Sequence, residues 1–206
     1  VVVTPDGSKV YVANDNDNSN SVTVINALTN TVITTIQVDP VGTIGNPTGI
    51  AVSPDGSKVY VTSQGPDKVR TISTTTDAII DSITLGTDPV GICVSPDGSK
   101  LYVANSQSAS VSVVDALTNS IITTIPVGTN PDGVSLTPDG SVLYVVNQLS
   151  GNVTAINTIT NSVITTIAVG LYPVALGNFI SSYPSLVGIQ TPQNGSSDFN
   201  IYPNPI

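Results

Sequence analysis

The sequence predicts an all-β fold: a β-propeller with four four-stranded blades. Internal repetition is the first reason, because one segment recurs four times along the 206 residues. Composition is the second, since Val, Ile and Thr are abundant whereas Glu and Met are absent, which favours strands over helices. The third is that the strands are apolar on both faces, as expected of sheets packed between two other sheets.

A Ser/Thr-Pro-Asp-Gly step marks each copy of the repeat. Its prolines lie at positions 5, 54, 96 and 138, so that the copies are 49, 42 and 42 residues apart. Proline presets φ at the second position of a turn, and glycine tolerates a positive φ at the last. The step therefore predicts a tight turn between two strands. The seven additional residues of the first copy fall in loops, within Asp15–Asn20 and Gln37–Asn46.

Each copy contains four strand patterns in the same order. A Tyr-Val strand follows the turn, two strands rich in Val, Ile and Thr come next, and a Pro-x-Gly step opens the fourth. An Asn or Asp between the second and third strands suits the left-handed backbone of a tight hairpin. The tyrosines of the first strand are predicted to be core residues: Tyr11, Tyr60, Tyr102 and Tyr144.

The Pro-x-Gly strand is predicted to be the innermost strand of each blade. Its glycines, Gly49, Gly91 and Gly133, fit a position where blades crowd the axis and side chains have little room. A last, altered copy of the step begins at Pro173, with Ala175 in place of glycine. Residues 173–180 are therefore expected to close the ring of a longer parent protein. Four blades alone are expected to form an open arc with two apolar blade faces exposed.

The repeat resembles those of the YVTN β-propeller family. The resemblance rests on Pro-x-Gly-Ile-x-Val-Ser-Pro-Asp-Gly-Ser-Lys-x-Tyr-Val-x-Asn, then Ser-Val-x-Val-Ile-Asn, then Thr-Asn-x-Ile-Ile-x-Thr-Ile, and it covers residues 1–180. It implies a partial, N-terminally truncated propeller of a seven-bladed parent. It also implies a secreted or cell-surface protein, because family members resemble surface-layer and other extracytoplasmic proteins.

The C-terminal residues have a different character. Residues 181–198 are rich in Ser, Gly, Pro, Gln and Asn and lack strand periodicity, which is typical of a flexible linker. Residues 199–206, which read Phe-Asn-Ile-Tyr-Pro-Asn-Pro-Ile, resemble the start of the type A C-terminal sorting domain of the type IX secretion system of Bacteroidota. This resemblance implies export by the type IX secretion machinery.

Charge and composition exclude some partners. The net charge is −9 and the five Lys and Arg residues form no run, so nucleic acid is not expected as a ligand. No run of eighteen apolar residues is present, and therefore no membrane-spanning helix is predicted. Cys93 has no possible disulfide partner within the chain and lies in an apolar strand, which favours a buried, inert thiol.

The absent residue types argue against catalysis. The chain has no His and no Glu, so that His-dependent triads, His-rich metal sites, axial histidine ligands of haem and Glu general acids cannot be built from it. Arg70, its only arginine, lies in a mid-blade strand rather than at the channel. No catalytic residue, cofactor or cofactor-binding residue is therefore predicted, and the protein is not expected to be an enzyme. The repeated turn carboxylates are interpreted as turn residues rather than ligands: Asp6, Asp55, Asp97 and Asp139.

One loop resembles the first half of a calcium loop. Asp15, Asp17 and Ser19 place oxygen ligands at alternate positions, and they are weak calcium candidates. The glycine expected at the sixth position and the bidentate Glu expected at the twelfth are both missing. The alternative is a polar, solvated loop, so no metal site is predicted with these residues.

The sequence thus predicts a non-catalytic exported propeller that acts as a binding, adhesion or structural module. Its partner would be a protein or glycan at the cell surface. Contacts are expected at the loops, because the strands are committed to packing; the loops are Asp15–Asn20, Gln37–Asn46 and Ser106–Ser110. The alternative is a lactonase-like or quinoprotein-like propeller enzyme whose active site lies on blades outside this sequence. A further alternative is a repeat that only fills space in a surface layer.

Overall fold

The computed structural model describes residues 1–15, 20–40 and 45–175. It contains four separate four-stranded antiparallel sheets, which confirms the predicted all-β, propeller-like fold. No helix in the described part of the chain is long and apolar enough to cross a membrane. The predicted linker at 181–198 and the sorting motif at 199–206 lie outside the described residues, as do Asp17 and Ser19.

The sheets follow one another along the chain as blades I to IV. In each blade the strands are ordered from the innermost to the outermost, as they are in the sequence. Blade I contains β1 (Val2–Val3), β2 (Lys9–Asn14), β3 (Ser21–Asn26) and β4 (Thr31–Gln37). Blade II contains β5 (Pro47–Val52), β6 (Lys58–Ser63), β7 (Lys68–Ser73) and β8 (Ala78–Thr84). Blade III contains β9 (Pro89–Val94), β10 (Lys100–Asn105), β11 (Ser110–Asp115) and β12 (Ser120–Pro126). Blade IV contains β13 (Pro131–Leu136), β14 (Val142–Asn147), β15 (Asn152–Asn157) and β16 (Ser162–Ala168).

Because the strands alternate in direction, the connections fall on two rims. The turn rim carries the Pro-Asp-Gly turns and the hairpins between the third and fourth strands of each blade. The connection rim carries the links between consecutive blades and the loops between the second and third strands. On this rim the two kinds of segment are hydrogen-bonded: the backbone N–H groups of Val38, Leu85, Val127 and Val169 donate to carbonyls at residues 20, 67, 109 and 151.

The turn aspartates are satisfied within their own turns, as the sequence predicts. Asp6 Oδ1 accepts hydrogen bonds from Thr4 Oγ1 at 2.6 Å and from the Ser8 backbone N–H at 3.0 Å. The other three turns repeat this pattern around Asp55, Asp97 and Asp139. The turn glycines have φ between 71° and 73°, and the Asn or Asp of each hairpin has φ between 49° and 55°, so both backbone predictions are confirmed.

Three apolar layers between neighbouring blades form the core. Between blades I and II, Tyr11, Val22 and Val24 pack against Val59 and Ile72. The other two junctions repeat this arrangement, with Tyr60 and Tyr102 in the place of Tyr11. Cys93 is buried in the layer between blades III and IV, where desolvation raises its pKa far above the usual range. The predicted core roles of these three tyrosines and the predicted burial of the Cys93 thiol are confirmed.

The innermost strands approach one another too closely for side chains at the glycine positions. A Cβ on Gly49 would lie 2.0 Å from the Val90 carbonyl oxygen, and one on Gly91 would lie 2.2 Å from the Asp132 carbonyl oxygen. A Cβ on Gly133 would lie 2.5 Å from Ala175 Cβ. Glycine is therefore required by backbone contact between adjacent blades, which is the crowding that the sequence predicts.

Each outermost strand carries a β-bulge. In blade I the register shifts so that Val24 pairs with Thr34 and Ile25 pairs with Val32, which leaves Ile33 unpaired. The same shift occurs in the other three blades. A bulge bends a strand and interrupts its edge, so that these outer edges are poor templates for further pairing.

The interior glycines supply a stability test. Gly91→Ala places a methyl group against backbone that cannot rotate away, so we expect the free energy of unfolding to fall by about 2 kcal/mol. Gly170→Ala is the matched control, because nothing lies within 4 Å of the added Cβ. Urea unfolding followed by circular dichroism measures both changes. Equal stability of the two variants would contradict the backbone contact.

The turn carboxylates predict a dependence on pH. Hydrogen bonds from Ser or Thr side chains, and then from the turn backbone, lower the pKa of each of the four turn aspartates to about 2. Their contribution is complete above the unfolded-state pKa of about 3.9 and is lost as the pH falls through the folded value. Urea unfolding at a series of pH values from neutral to acidic should show a fall in the free energy of unfolding. That fall should be smaller when all four turn aspartates are changed to Asn. If the free energy of unfolding of the four-Asn variant decreases with acid as steeply as that of the wild type, this prediction is wrong.

Candidate functional site

The connection rim brings together the loops that the sequence suggests for contacts. The described parts of Asp15–Asn20 and Gln37–Asn46 lie there, in blade I and in its link to blade II, and Ser106–Ser110 lies there in blade III. Strand direction explains this placement, because all three segments join strand ends on the same side of the sheets. That these loops bind a partner remains a prediction.

Four residues of this rim have a left-handed conformation, and three of them lead directly into innermost strands. They precede the prolines of the Pro-x-Gly steps and have φ of 43° at Asn46, 61° at Asp88, 56° at Asn130 and 53° at Tyr172. The carbonyls of the first three accept hydrogen bonds from the backbone N–H groups at residues 64, 106 and 148. The left-handed turn therefore aims the chain inward and places polar side chains beside the start of each innermost strand.

Asp132 is an acidic residue at the middle position of a Pro-x-Gly step, where blades II and III have Thr48 and Val90 and the altered last step has Val174. It is half-buried, and one of its carboxylate oxygens accepts a long hydrogen bond of 3.5 Å from the Ala175 backbone N–H. Desolvation by burial raises the pKa of Asp132. The sequence analysis missed this residue, although a carboxylate within an otherwise neutral step was a signal that could have found it.

Asp88 is a second carboxylate with a raised pKa on the same rim. Burial is the main cause, and the charge of Asp67 adds to it, while a hydrogen bond with Gln107 opposes both. Asp67 accepts the Asp88 backbone N–H at 2.8 Å, which holds the two residues together. Carboxylates whose pKa is raised by burial are better bases than solvated ones and are often found at functional sites. The rim can therefore supply two proton acceptors: Asp132 within an innermost strand, and Asp88 directly before one, beside the loop that carries Asp67.

A buried ion pair fixes the long link between blades I and II on this rim. Arg70 Nη2 donates to Asp39 Oδ1 at 2.5 Å, and the Asp39 side chain is only 1% exposed. Ser63 Oγ donates to the other oxygen of Asp39 and lies 3.0 Å from the Gly45 carbonyl oxygen. We call Asp39, Ser63 and Arg70 the rim lock. As predicted, Arg70 is in a mid-blade strand, β7, and the structure places its guanidinium under the rim.

The rim lock replaces a different arrangement at the next two junctions. Where blade I has Asp39, blades II and III have Gly86 and Gly128, and each glycine lies against a buried asparagine, Asn105 or Asn147. A Cβ on Gly86 would lie 2.9 Å from Asn105 Cγ. Ser63 is smaller than that asparagine and leaves room for the Asp39 side chain. The differences at Asp39 and Ser63 therefore compensate one another. The junction between blades I and II has a buried ion pair where the next two junctions have a buried asparagine amide.

The remaining candidates from the sequence are not assembled into a site. Asp15 is exposed, whereas its suggested partners Asp17 and Ser19 lie outside the described residues, so the calcium prediction stays untested. No group of three or more potential metal ligands occurs in the described ranges. Two crevices of about 280 and 250 Å³ open on the turn rim. Their carboxylates, from Asp6, Asp55 and Asp97, are already used within their own turns.

Comparison with known proteins supports a propeller with enzymatic relatives. Residues 68–164 match the family model described as "Lactonase, 7-bladed beta-propeller", which covers less than half of the chain. A solved structure described as Kuenenia stuttgartiensis Hydrazine Synthase aligns with a TM-score of 0.75 and 27% identity, covering 82% of this chain and 48% of that one. The chain thus spans about half the length of that relative. A search of curated proteins found no match.

The lactonase match contradicts the prediction that the protein is not an enzyme, because it points towards hydrolase chemistry. That prediction depended on the absence of His and Glu, and the only carboxylates that it weighed were the four turn aspartates and those of the Asp15–Asn20 loop. Asp88 and Asp132 differ from the turn aspartates because burial raises their pKa. Residue type alone therefore does not exclude acid–base chemistry on this propeller.

The rim lock predicts an unequal response to single and combined substitutions. Asp39→Ala leaves the Arg70 charge under the rim without its counter-ion, so we expect a loss of about 3 kcal/mol in the free energy of unfolding. The triple change Asp39→Gly, Ser63→Asn and Arg70→Ser imitates the next junction and should be more stable than Asp39→Ala alone. Urea unfolding of both variants decides this. A triple variant that is less stable than the single one would show that the three residues are not coupled.

Proposed function

We propose that this chain is part of a lactonase-like propeller hydrolase that binds a small cyclic ester at the axial side of the connection rim. The observation that carries the proposal is the half-buried carboxylate of Asp132 at the start of an innermost strand, within the segment that matches the lactonase model. Asp88 lies in the same segment and also has a raised pKa. Propeller axes are places where loops from several blades can surround one ligand.

In the proposed reaction the Asp132 carboxylate acts as a general base. It accepts a proton from a water molecule as the water oxygen attacks the ester carbonyl carbon. The bond between the carbonyl carbon and the ring oxygen then breaks, and the ring oxygen takes up the proton to give a hydroxy acid. A half-buried carboxylate suits this role because its desolvated anion holds a proton more strongly than a solvated one.

Groups that stabilise the developing oxyanion would come from elsewhere on the ring. This chain has five Lys and Arg residues, and Lys9 and Arg70 are already in ion pairs. In this proposal other blades supply further donors towards the axis, which agrees with the alternative considered from the sequence. The activity of the whole protein is accordingly part of this proposal.

The second candidate function is ligand binding at the cell surface by an exported protein. It is favoured by the convergence of three loops of unequal length or composition on the connection rim, while the strands are committed to packing. The YVTN-like repeat and the sorting-like motif at 199–206 support export through the type IX machinery. Binding of a surface glycan or protein without turnover of any ester would favour this function over hydrolysis.

Substitution of the rim carboxylates tests the hydrolase. Asp132→Asn keeps the shape of the side chain but removes the base, so we expect kcat/KM for lactone hydrolysis by the intact parent protein to fall at least ~100-fold. Because the base must be ionised, the wild-type rate should decrease as the pH falls through the raised pKa of Asp132. A panel of lactones followed by base-consumption titration measures both effects.

Asp115→Asn is the matched control for this test. Asp115 lies on the turn rim, where hydrogen bonds from Thr118 lower its pKa, so its replacement should leave hydrolysis unchanged. Full activity in Asp132→Asn would remove that residue from the mechanism. A parent protein that hydrolyses no lactone would reject the hydrolase altogether.

A further inference from the structure

The middle residues of the Pro-x-Gly steps belong to β-bulges. In blade IV, Pro131 pairs with Asn147 and Val134 pairs with Val145, so that the two residues between them stand opposite a single residue of the neighbouring strand. The innermost strands of blades II and III have the same bulge at the same place. A bulge re-aims the side chains that it carries, and bulges are frequent beside active sites. The middle residue of each step is therefore released from the regular alternation of its strand.

Consecutive bulges are in direct contact with one another. A Cβ on Gly91 would lie 2.2 Å from the Asp132 carbonyl oxygen and 3.2 Å from Gly133 Cα. On the other side, the Asp132 carboxylate accepts the Ala175 backbone N–H at 3.5 Å. Asp132, the base of the proposed reaction, thus lies between the steps at 89–91 and 173–175. The middle residue of the first of these steps is Val90, which is directly bonded to the glycine that contacts Asp132.

Val90 is an apolar residue that the core does not use. It is half-buried, and it belongs to none of the three apolar layers between the described blades. Its backbone is held in place, because Thr62 Oγ1 donates to the Val90 carbonyl oxygen at 2.8 Å. Blade II has Thr48 at the equivalent position, where the hydroxyl donates to the Asn46 carbonyl at 3.0 Å. Blade III therefore presents methyl groups beside the base, at a position where a polar side chain also fits the fold.

The cationic side chains of this chain lie away from the proposed base. None of its five Lys and Arg residues is on an innermost strand. Three of them extend to carbonyl oxygens on the turn rim: Lys9, Lys58 and Lys100. Arg70 is paired with Asp39. A phosphate or carboxylate group on the substrate would therefore meet the charge of Asp132 without a counter-ion from these blades, and like charges repel.

We infer that the substrate of the proposed hydrolase is an uncharged lactone with an aliphatic substituent, and that Val90 contacts this substituent while Asp132 acts on the ring. The inference rests on the proposed function and adds the substrate class. Ligand sites are lined mainly by apolar side chains with a few polar groups that fix orientation, and Val90 beside Asp132 is such a combination. Val90 is a specificity-determining residue here, since it touches the substrate but takes no part in proton transfer.

Three lactones with the same six-membered ring test the substrate class. They are δ-valerolactone, which has no substituent, δ-decalactone, which has a pentyl group, and glucono-δ-lactone, which has hydroxyl groups. We expect the kcat/KM of the intact parent protein for δ-decalactone to exceed that for δ-valerolactone at least ~10-fold, because each buried methylene group strengthens binding. Glucono-δ-lactone should be the poorest substrate.

The possible results separate this inference from the proposed function. Equal kcat/KM for δ-decalactone and δ-valerolactone, or the highest value for glucono-δ-lactone, would overturn the substrate class and leave the hydrolase standing. If the parent protein hydrolyses none of the three, the hydrolase is rejected and the substrate class with it.

Val90→Thr tests the residue itself, and it reproduces the side chain that blade II has at this position. Placing a hydroxyl against the pentyl group should lower the ratio of kcat/KM for δ-decalactone to that for δ-valerolactone by about 10-fold. The acid limb of the pH profile should stay where it is, because Asp132 is retained. Val32→Thr is the matched control, at a position 63% exposed on the outermost strand of blade I, and it should leave the ratio unchanged.

Circular dichroism verifies that both variants are folded. An unchanged ratio in Val90→Thr, or an equal loss on both lactones, would show that Val90 does not contact the substituent. A shift of the acid limb would likewise count against a pure contact role, since it would mean that Val90 acts through Asp132.

Discussion

The contact between adjacent innermost strands is the constraint on which the rest of the structure depends. At Gly49 and Gly91 the neighbouring backbone lies where a Cβ would be, at 2.0 and 2.2 Å. Such proximity is available only to glycine, and it sets how near the blades come to the axis. Once the inner edges are this close, the faces of consecutive sheets must meet along their length. The apolar layers between neighbouring blades follow from that approach.

Polar groups are placed where this packing ends. The second and third strands of blades II and III are buried on both faces, so that side chains free to bind a ligand are limited to the rims and the mouth of the axis. On the turn rim the repeated aspartates are occupied by their own turns. On the connection rim Asp88 is itself the left-handed residue before Pro89, Asp132 directly follows Pro131, and partial burial raises the pKa of both. The same geometry that packs the blades therefore creates the candidate site.

The junction between blades I and II shows how a repeat accommodates variation. Its link is longer than the others, and both ion pairs of the described structure cross it, one on each rim. Asp77 accepts Lys9 and Tyr11 on the turn rim, while Asp39 accepts Arg70 on the connection rim. Charged groups at these places cost little to bury only because each finds a partner on the adjacent blade. The apolar layer beneath them remains the same as at the other junctions.

The sequence by itself determined the blade count, the strand order and the turns, because these depend on local spacing and on residues with restricted backbone choices. It also determined that Tyr11, Tyr60 and Tyr102 are core residues. It did not reveal Asp132, Asp88 or the rim lock, whose members are separated in the chain by up to 31 residues. Their properties arise only when the blades meet, since burial and ion pairing are set by neighbours that local sequence does not specify. Tertiary structure likewise decided how deeply each tyrosine is buried: Tyr11, Tyr60 and Tyr102 are at most 1% exposed, whereas Tyr144, identical in pattern, is half-buried, because exposure depends on what packs against a residue.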